Sequence, residues 1–202
     1  MASPGWPARI VHGDVGVRPF RLRDAQPWCE ARMRNEEWLS PWEGRQPGMP
    51  DASWEDRHSP GAFAAMLRTM RRESRAGRQL PFAIVVNGSL VGQVTVANVV
   101  RGAFQSASVG YWVDRDVAGR GVMPTALALV VDHCLTVVGL HRIEANIRPE
   151  NEPSLRVVRK LGFREEGLHP RFLFIDGGWR DHLSFAVTVE DLTEPMVSRI
   201  TR

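Results

Sequence analysis

Gly110-Tyr-Trp-Val-Asp-Arg-Asp-Val-Ala-Gly119-Arg-Gly121-Val-Met-Pro124 reads as a strand that passes through two closely spaced glycines into Val122 to Val138, an apolar run of helical length. This succession suits an anion, because the first N–H groups of a helix have no partner inside it and the helix dipole is positive at that end. Gly119 and Gly121 let the main chain approach such an anion without a Cβ in the way. Pro124 falls in the first turn of the helix, where its missing N–H is not needed. The same glycines also suit a purely structural turn, so the stretch alone leaves both readings open. Spacing excludes two common phosphate motifs. A dinucleotide fingerprint, G-x-G-x-x-G, needs glycine where Pro124 stands, and a Walker loop needs Gly-Lys-Ser/Thr. The turn also follows three antiparallel strand candidates instead of opening a first βαβ unit. A cofactor with a pyrophosphate, on another fold, is favoured.

The strand Ala107 to Asp114 is preceded by Leu80 to Val86 and Leu90 to Val99, which flank Asn87-Gly88, a strong hairpin signal. Upstream, Pro60 to Gly77 places Phe63, Met66, Leu67 and Met70 at helical spacing. Arg68, Arg71, Arg72 and Arg75 form a basic outer face there, read as solvated or as a contact surface. Trp38 to Pro60 contains Pro41, Pro47, Pro50, Pro60, Gly44 and Gly48, and reads as a long loop of the kind that is often functional. Val17 and Phe20 to Leu22 offer a short strand, after which Asp24 is placed to cap a helix through Cys29 to about Asn35. Downstream, Arg142 to Arg148 alternates as a strand with one face inward. Asn151 is placed to cap a helix that holds Pro153, packs Leu155, Val158 and Leu161, and stops at Gly162. Residues 163 to 174 and 182 to 189 form a last hairpin around Asp176-Gly177-Gly178. The order β-α-α-β-β-β-α-β-α-β-β defines an α+β chain.

The 202 residues fit one domain over 1–202, with a core over about 17–192 and short terminal tails. Hydrophobic content of 43% and charged content of 24% are those of an ordinary globular protein, and no apolar run approaches the roughly 18 residues of a membrane span. The start, MASPGWPARI, lacks a secretory signal, so the cytoplasm is the expected compartment and no membrane is expected. Cys29 and Cys134 sit in no metal-ligand spacing, so neither a metal nor a disulfide is expected. Cys134 falls in the middle of the apolar helix, where a buried inert thiol is the simpler reading. A net charge of +3 is slight, and no specific nucleic acid is implied. Monomer and homodimer both fit.

Gly119-Arg120-Gly121, the long helix after it and the strand Arg142-Ile-Glu-Ala-Asn146 resemble the acyl-CoA motif of the GNAT superfamily of N-acetyltransferases. Asn151-Glu-Pro-Ser154, Leu161-Gly-Phe163, Glu166-Gly167 and Trp179-Arg-Asp-His182 continue the match. With Leu39-Ser-Pro41-Trp42-Glu43 upstream, the whole is most similar to the RimJ/RimL-like ribosomal-protein N-terminal acetyltransferases, over about residues 17 to 192. The resemblance implies a mixed, mostly antiparallel sheet, helices on both faces, and a splay between the strands Val109 to Asp114 and Ile143 to Arg148. It implies acetyl-CoA as cosubstrate, and an acceptor that is the N-terminus of a protein or peptide, such as a ribosomal protein. On this resemblance Trp112, Val113 and Asp114 contact the pantetheine through main-chain groups, and Gly119, Arg120, Gly121, Val122 and Met123 hold the pyrophosphate. Asn146, Asn151 and Ser154 join them at the cofactor.

The reaction implied is attack of a neutral amine on a thioester, which needs loss of an ammonium proton and protonation of a leaving thiolate. Ser154 and Asn146 are the catalytic candidates: the Ser154 hydroxyl as donor to the sulfur, or as a helix-start hydroxyl, and the Asn146 amide as an orienting group. The sequence departs from the superfamily where Val158 replaces a common tyrosine acid, where Asn146 replaces a glutamate of some N-terminal acetyltransferases, and where Asp116 replaces the basic or amide residue opening the phosphate motif. The general base stays unassigned among Asp114, Glu43 and Asp181. A small-amine acetyltransferase and a non-catalytic acyl-CoA sensor are the competing readings.

Overall fold

The computed structural model describes residues 4–48 and 52–200, so Pro50 lies outside the described residues. Eight strands form one sheet, ordered β1 (Ile10–His12), β2 (Val15–Pro19), β3 (Leu80–Val86), β4 (Ser89–Val100), β5 (Ser106–Val113), β6 (Arg142–Ile147), β8 (Gly178–Thr188) and β7 (Arg164–Ile175). Every neighbouring pair is antiparallel except β5 and β6. The expected hairpins form where the turn chemistry places them. Asn87 and Gly88 take φ of 49° and 86° between β3 and β4, and Asp176 and Gly177 take 50° and 69° between β7 and β8.

Helices cover both faces. On one, α1 (Ala25–Arg34) and α4 (Pro60–Arg75) pack Trp28, Phe63, Leu67 and Met70 on Phe20, Ala83 and Leu90. On the other, α5 (Val122–Thr136) and α6 (Glu152–Lys160) join the larger core, where Leu127, Val130, Cys134, Leu155 and Val158 meet Val94, Val109 and Ile143. α5 is apolar around its circumference because it is buried around its circumference. Burial pushes the Cys134 thiol up to about 12, which leaves it inert. Arg68, Arg71, Arg72 and Arg75 do lie on the exposed face of α4.

Three expectations about the first sixty residues need correction. The strand ends at Pro19, and Leu22 sits 65% exposed in a 3-10 turn, Leu22–Asp24. Asp24 does not cap α1 with its side chain. Its carboxylate accepts the Arg21 N–H at 2.7 Å and a bidentate pair from Arg18 at 2.7 and 2.8 Å, all from residues before it. Trp38 to Pro60 is more than a loop: α2 (Glu36–Leu39), a 3-10 turn (Ser40–Trp42) and α3 (Trp54–Arg57) lie within or across it. Ser53 caps α3 by accepting the Asp56 N–H at 3.0 Å.

The feature that positions the site is the junction of β5 and β6. Their parallel ladder pairs only Ser106, Ala107 and Ser108 with Arg142, Ile143 and Glu144. Past that point β5 stays with β4 up to Val113, β6 stays with β8 up to Ile147, and the two strands no longer pair with each other. The sheet is therefore open along one half of this seam.

Candidate active site

A continuous cavity of about 1280 Å³ passes through the opening. That exceeds the usual ligand pocket of roughly 300–1,000 Å³ and leaves room for two reactants. At one end lies the turn before α5. Gly119 and Gly121 take φ of 78° and 79°, and no atom of the described residues lies within 4 Å of where a Cβ would stand on either. The Val122 and Met123 side chains are buried, so this turn offers its backbone, with the first-turn N–H groups of α5 lacking helical acceptors. Gly119, Gly121 and Met123 line the cavity, while Arg120 and Val122 do not.

Trp112 and Val113 line the cavity too, but Asp114 does not. The Asp114 N–H donates to the Val91 carbonyl at 2.8 Å, and its own carbonyl accepts from Val117 at 3.1 Å. Its carboxylate accepts from Asn35 at 2.9 Å, from the Asp116 N–H at 3.2 Å and from Arg34. Burial opposes its ionisation, yet the Asn35 and Arg34 contacts outweigh burial and hold the pKa below the usual value. Asn35 also accepts the Arg115 N–H at 2.9 Å, so the end of α1 is clasped to the end of β5. Asp114 is thereby a structural anion and no base. The Val113 carbonyl accepts the Trp38 indole N–H at 3.2 Å, and the Trp112 ring faces α1, with the Arg32 guanidinium 5.2 Å from its centroid.

At the start of α6, Ser154 and Asn151 line the same cavity. The Asn151 side-chain oxygen accepts the Ser154 N–H at 3.2 Å, the expected cap. The Ser154 hydroxyl donates to the Tyr111 oxygen at 2.8 Å, and the Tyr111 hydroxyl donates back to the Ser154 carbonyl at 3.3 Å. Burial drives the Tyr111 pKa up, against the opposing Ser154 bond, so the phenol keeps its proton. Tyr111 is the single tyrosine of the chain and was not among the expected site residues. The signal was present in its parity, since alternation along β5 sends Tyr111 to the α6 face when Trp112 faces α1.

Asn146 lies on β6 facing the cavity, and its Oδ1 is buried with no hydrogen-bond partner among the described residues. A buried acceptor in that state calls for a donor from outside the chain, such as an amine, an amide or water.

The opposite wall is a charge cluster that the sequence did not disclose. Glu43 accepts from Arg32 and Arg57, and His58 Nε2 lies 3.2 Å from it. Arg32 is also held over the Trp54 ring at 4.7 Å. Burial opposes the Glu43 charge, but the His58 hydrogen bond and the Arg32 and Arg57 cations prevail, and the carboxyl sits at about 2. Glu43 is therefore far too acidic to serve as a base near neutral pH. Asp181 accepts the Arg171 N–H at 2.7 Å and, like Trp179, stays outside the cavity. Trp42 lines the cavity, with the Arg148 guanidinium 5.4 Å from its ring and an Arg148 bond to the Pro41 carbonyl at 2.9 Å fixing the Ser40–Trp42 turn. Phe172 and Leu173 of β7 complete the wall.

A splayed, mostly antiparallel sheet with a glycine cradle at one mouth of the gap is the arrangement of an acyl-CoA-dependent N-acetyltransferase. The chain belongs to the GNAT acetyltransferase family, whose domain matches residues 14–164. It is similar to the Escherichia coli (strain K12) [ribosomal protein uS5]-alanine N-acetyltransferase, with 31% identity over 187 residues, 92% of this chain and 93% of that one. It is also similar to the probable N-acetyltransferase YjcK of Bacillus subtilis (strain 168), 41% identical over 102 residues; that match spans 50% of this chain and only 56% of YjcK. Among solved structures, Mycobacterium smegmatis RimJ in complex with CoA-disulfide superposes with a TM-score of 0.93 at 45% identity, covering 98% of this chain and 96% of that one.

Proposed function

We propose that the protein transfers the acetyl group of acetyl-CoA to the α-amino group at the N-terminus of a protein, of the ribosomal-protein alanine or serine type, and that residues 1–202 act as one domain in the cytoplasm. The observation that carries this reading is the single cavity that joins the glycine cradle to the acceptor cleft through the open half of the β5–β6 seam. Similarity to a uS5-alanine acetyltransferase over nearly the full length of both chains supports the acceptor class.

The residues fit the cosubstrate on two counts: Gly119 and Gly121, at positive φ, leave open space beside their backbone for an anion, and the Asn146 Oδ1 stands unpaired among the described residues. Gly119, Gly121 and the N–H groups of Val122 and Met123 would hold the pyrophosphate, with Arg120 at the exposed rim, and Trp112 and Val113 would flank the pantetheine arm. Acetyl-CoA supplies the thioester carbon that the amine attacks and the sulfur that departs. Ser154 and Tyr111 form a pair of protonated hydroxyls at the α6 mouth of the gap, and the Ser154 hydroxyl, on turning from Tyr111, would give its proton to that sulfur. Asn146 accepts an N–H of the incoming amine and aims its lone pair. Arg32 and Arg57 pair with Glu43, so that carboxylate is not free to hold the acceptor as an ammonium ion.

Mass spectrometry of peptides that start with Ala, Ser or a large residue, beside a peptide whose only amine is a lysine and beside spermidine, tests the reading. Acetylation at the α-amine of the Ala and Ser peptides is expected. Modification of lysine or spermidine with free α-amines left untouched would overturn it.

A further inference from the structure

The cavity does not end at the transfer site. It continues along the face of β4 and β5 that α1 and α4 leave uncovered. The floor there is made of small residues in register, Thr95 opposite Gly110 and Ala97 opposite Ser108. A Cβ placed on Gly110 would meet no atom of the described residues within 4 Å, so among them the space above the floor is open. Glu144 borders it on β6. At the far end Phe104 and Val100 line the same cavity while exposing 59% and 46% of their surface. The β4–β5 register shifts between Ala97 and Val100, and Asn98 takes a φ of 53° there. Such a bulge re-aims side chains and is a typical device beside a binding site. Continuing the β5–β6 register sets Gly110 level with Asn146, and from Gly110 to Phe104 is six residues, roughly 20 Å at about 3.3 Å per residue.

Resting on the N-terminal acetyltransferase reading above, we propose that this groove takes the acceptor as an extended polypeptide. Its first residue lies at Asn146, its chain runs over Gly110 and Ser108, and an apolar side chain at about the sixth position seats on Phe104 and Val100. The continuity of the groove with the transfer site, its small-residue floor and its exposed apolar end all fit an unfolded chain end. A small amine would leave most of it empty. Phe104 and Val100 are thus specificity residues, remote from the chemistry.

Steady-state kinetics on peptides of two, four, six and eight residues, all beginning with Ala and with Leu at the sixth place of the longer ones, test this in wild type and in Phe104→Ala. In wild type, kcat/KM should climb with length and level off near six. Phe104→Ala should lower kcat/KM about tenfold for the eight-residue peptide, the loss expected when a large part of a buried aromatic contact goes, and should leave the dipeptide unchanged. Equal kcat/KM at all lengths, or an equal loss at all lengths in Phe104→Ala, would overturn the groove. So would sedimentation showing a dimer that Phe104→Ala converts to monomer, since a second copy would then cover the patch. Turnover of spermidine with no peptide of any length would instead bring down the functional reading itself.

Discussion

The two walls of the cavity are built from different materials. The proposed cofactor wall, from Gly119 to Met123 and along the edge of β5 past Ser108, offers backbone: two glycines at positive φ, a helix start and a strand edge that no longer pairs with β6. The proposed acceptor wall, around Trp38 to Gly44, is built of side chains, with Arg32 and, behind it, Arg57 and His58 around Glu43 and three tryptophan rings near Arg32. Backbone presents the same groups whatever the side chains, so it suits a fixed cosubstrate. A side-chain wall is set by chosen residues, so it suits recognition of one acceptor class.

The sharpest way to break this contrast is Gly121→Val. A β-branched residue at φ of 79° is strained by about 1–3 kcal/mol and places its side chain in the cradle. CoA affinity by calorimetry should fall on the order of a thousandfold, about 4 kcal/mol, because the side chain displaces the pyrophosphate from its backbone donors, given a protein whose circular dichroism and melting show it folded. Unchanged affinity would show that the cofactor wall does not work through its backbone. A smaller effect is expected where a side chain enters on the cofactor side. Ser154→Ala should lower turnover about a hundredfold in single-turnover acetylation, because a positioned proton donor acts in the transition state. CoA affinity should stay within about twofold. A matching loss in affinity would reduce Ser154 to a packing role.

How legible each wall was in the sequence follows the same division. Asn87-Gly88, Gly119 to Gly121, the apolar α5 and the Asn151 cap are local patterns, each readable within a few residues, and the structure forms all of them. The acceptor wall joins Arg32 to a carboxylate at Glu43, and Glu43 in turn to Arg57 and His58, within a stretch dense in proline and glycine. Such ordering rests on side-chain pairing across a chain with no periodicity, so composition alone reads as loop. Asp24 was misread for a related reason: capping and pairing both use a carboxylate, and only the fold brings Arg18 within reach. Asp114 looked like a cofactor contact because it ends the right strand, yet Asn35, Arg34 and Val91 occupy its polar groups. The Ser154–Tyr111 pair needed the parity of β5 and the position of α6 together.

The smallest effect sharpens the acceptor side. The Glu43 pKa drops from 4.5 to about 2 on folding, so its contribution to stability is complete above about pH 4.5 and is lost as pH falls towards 2. Glu43→Gln should therefore be less stable than wild type by about 2–3 kcal/mol in urea unfolding at pH 7, the size expected when a largely buried ion pair loses one partner. The gap should narrow steadily between pH 5 and pH 3. A gap that stays constant over that range would show that Glu43 acts by shape and not by charge.

The three-rung seam between β5 and β6 has a consequence for how the protein assembles. On one side of it lies an antiparallel meander, β1 to β5, whose strands pair with their neighbours in the chain. On the other lies β6 with the β7–β8 hairpin. Parallel pairing demands a long crossover, here filled by α5, and pays its loop-closure entropy before any rung forms. The proposed slot for the cosubstrate thus sits at the parallel junction of the sheet, where a long crossover is closed and only three rungs form. The chain keeps its vacancy there by stopping a zipper early, with no need to hollow out a finished core.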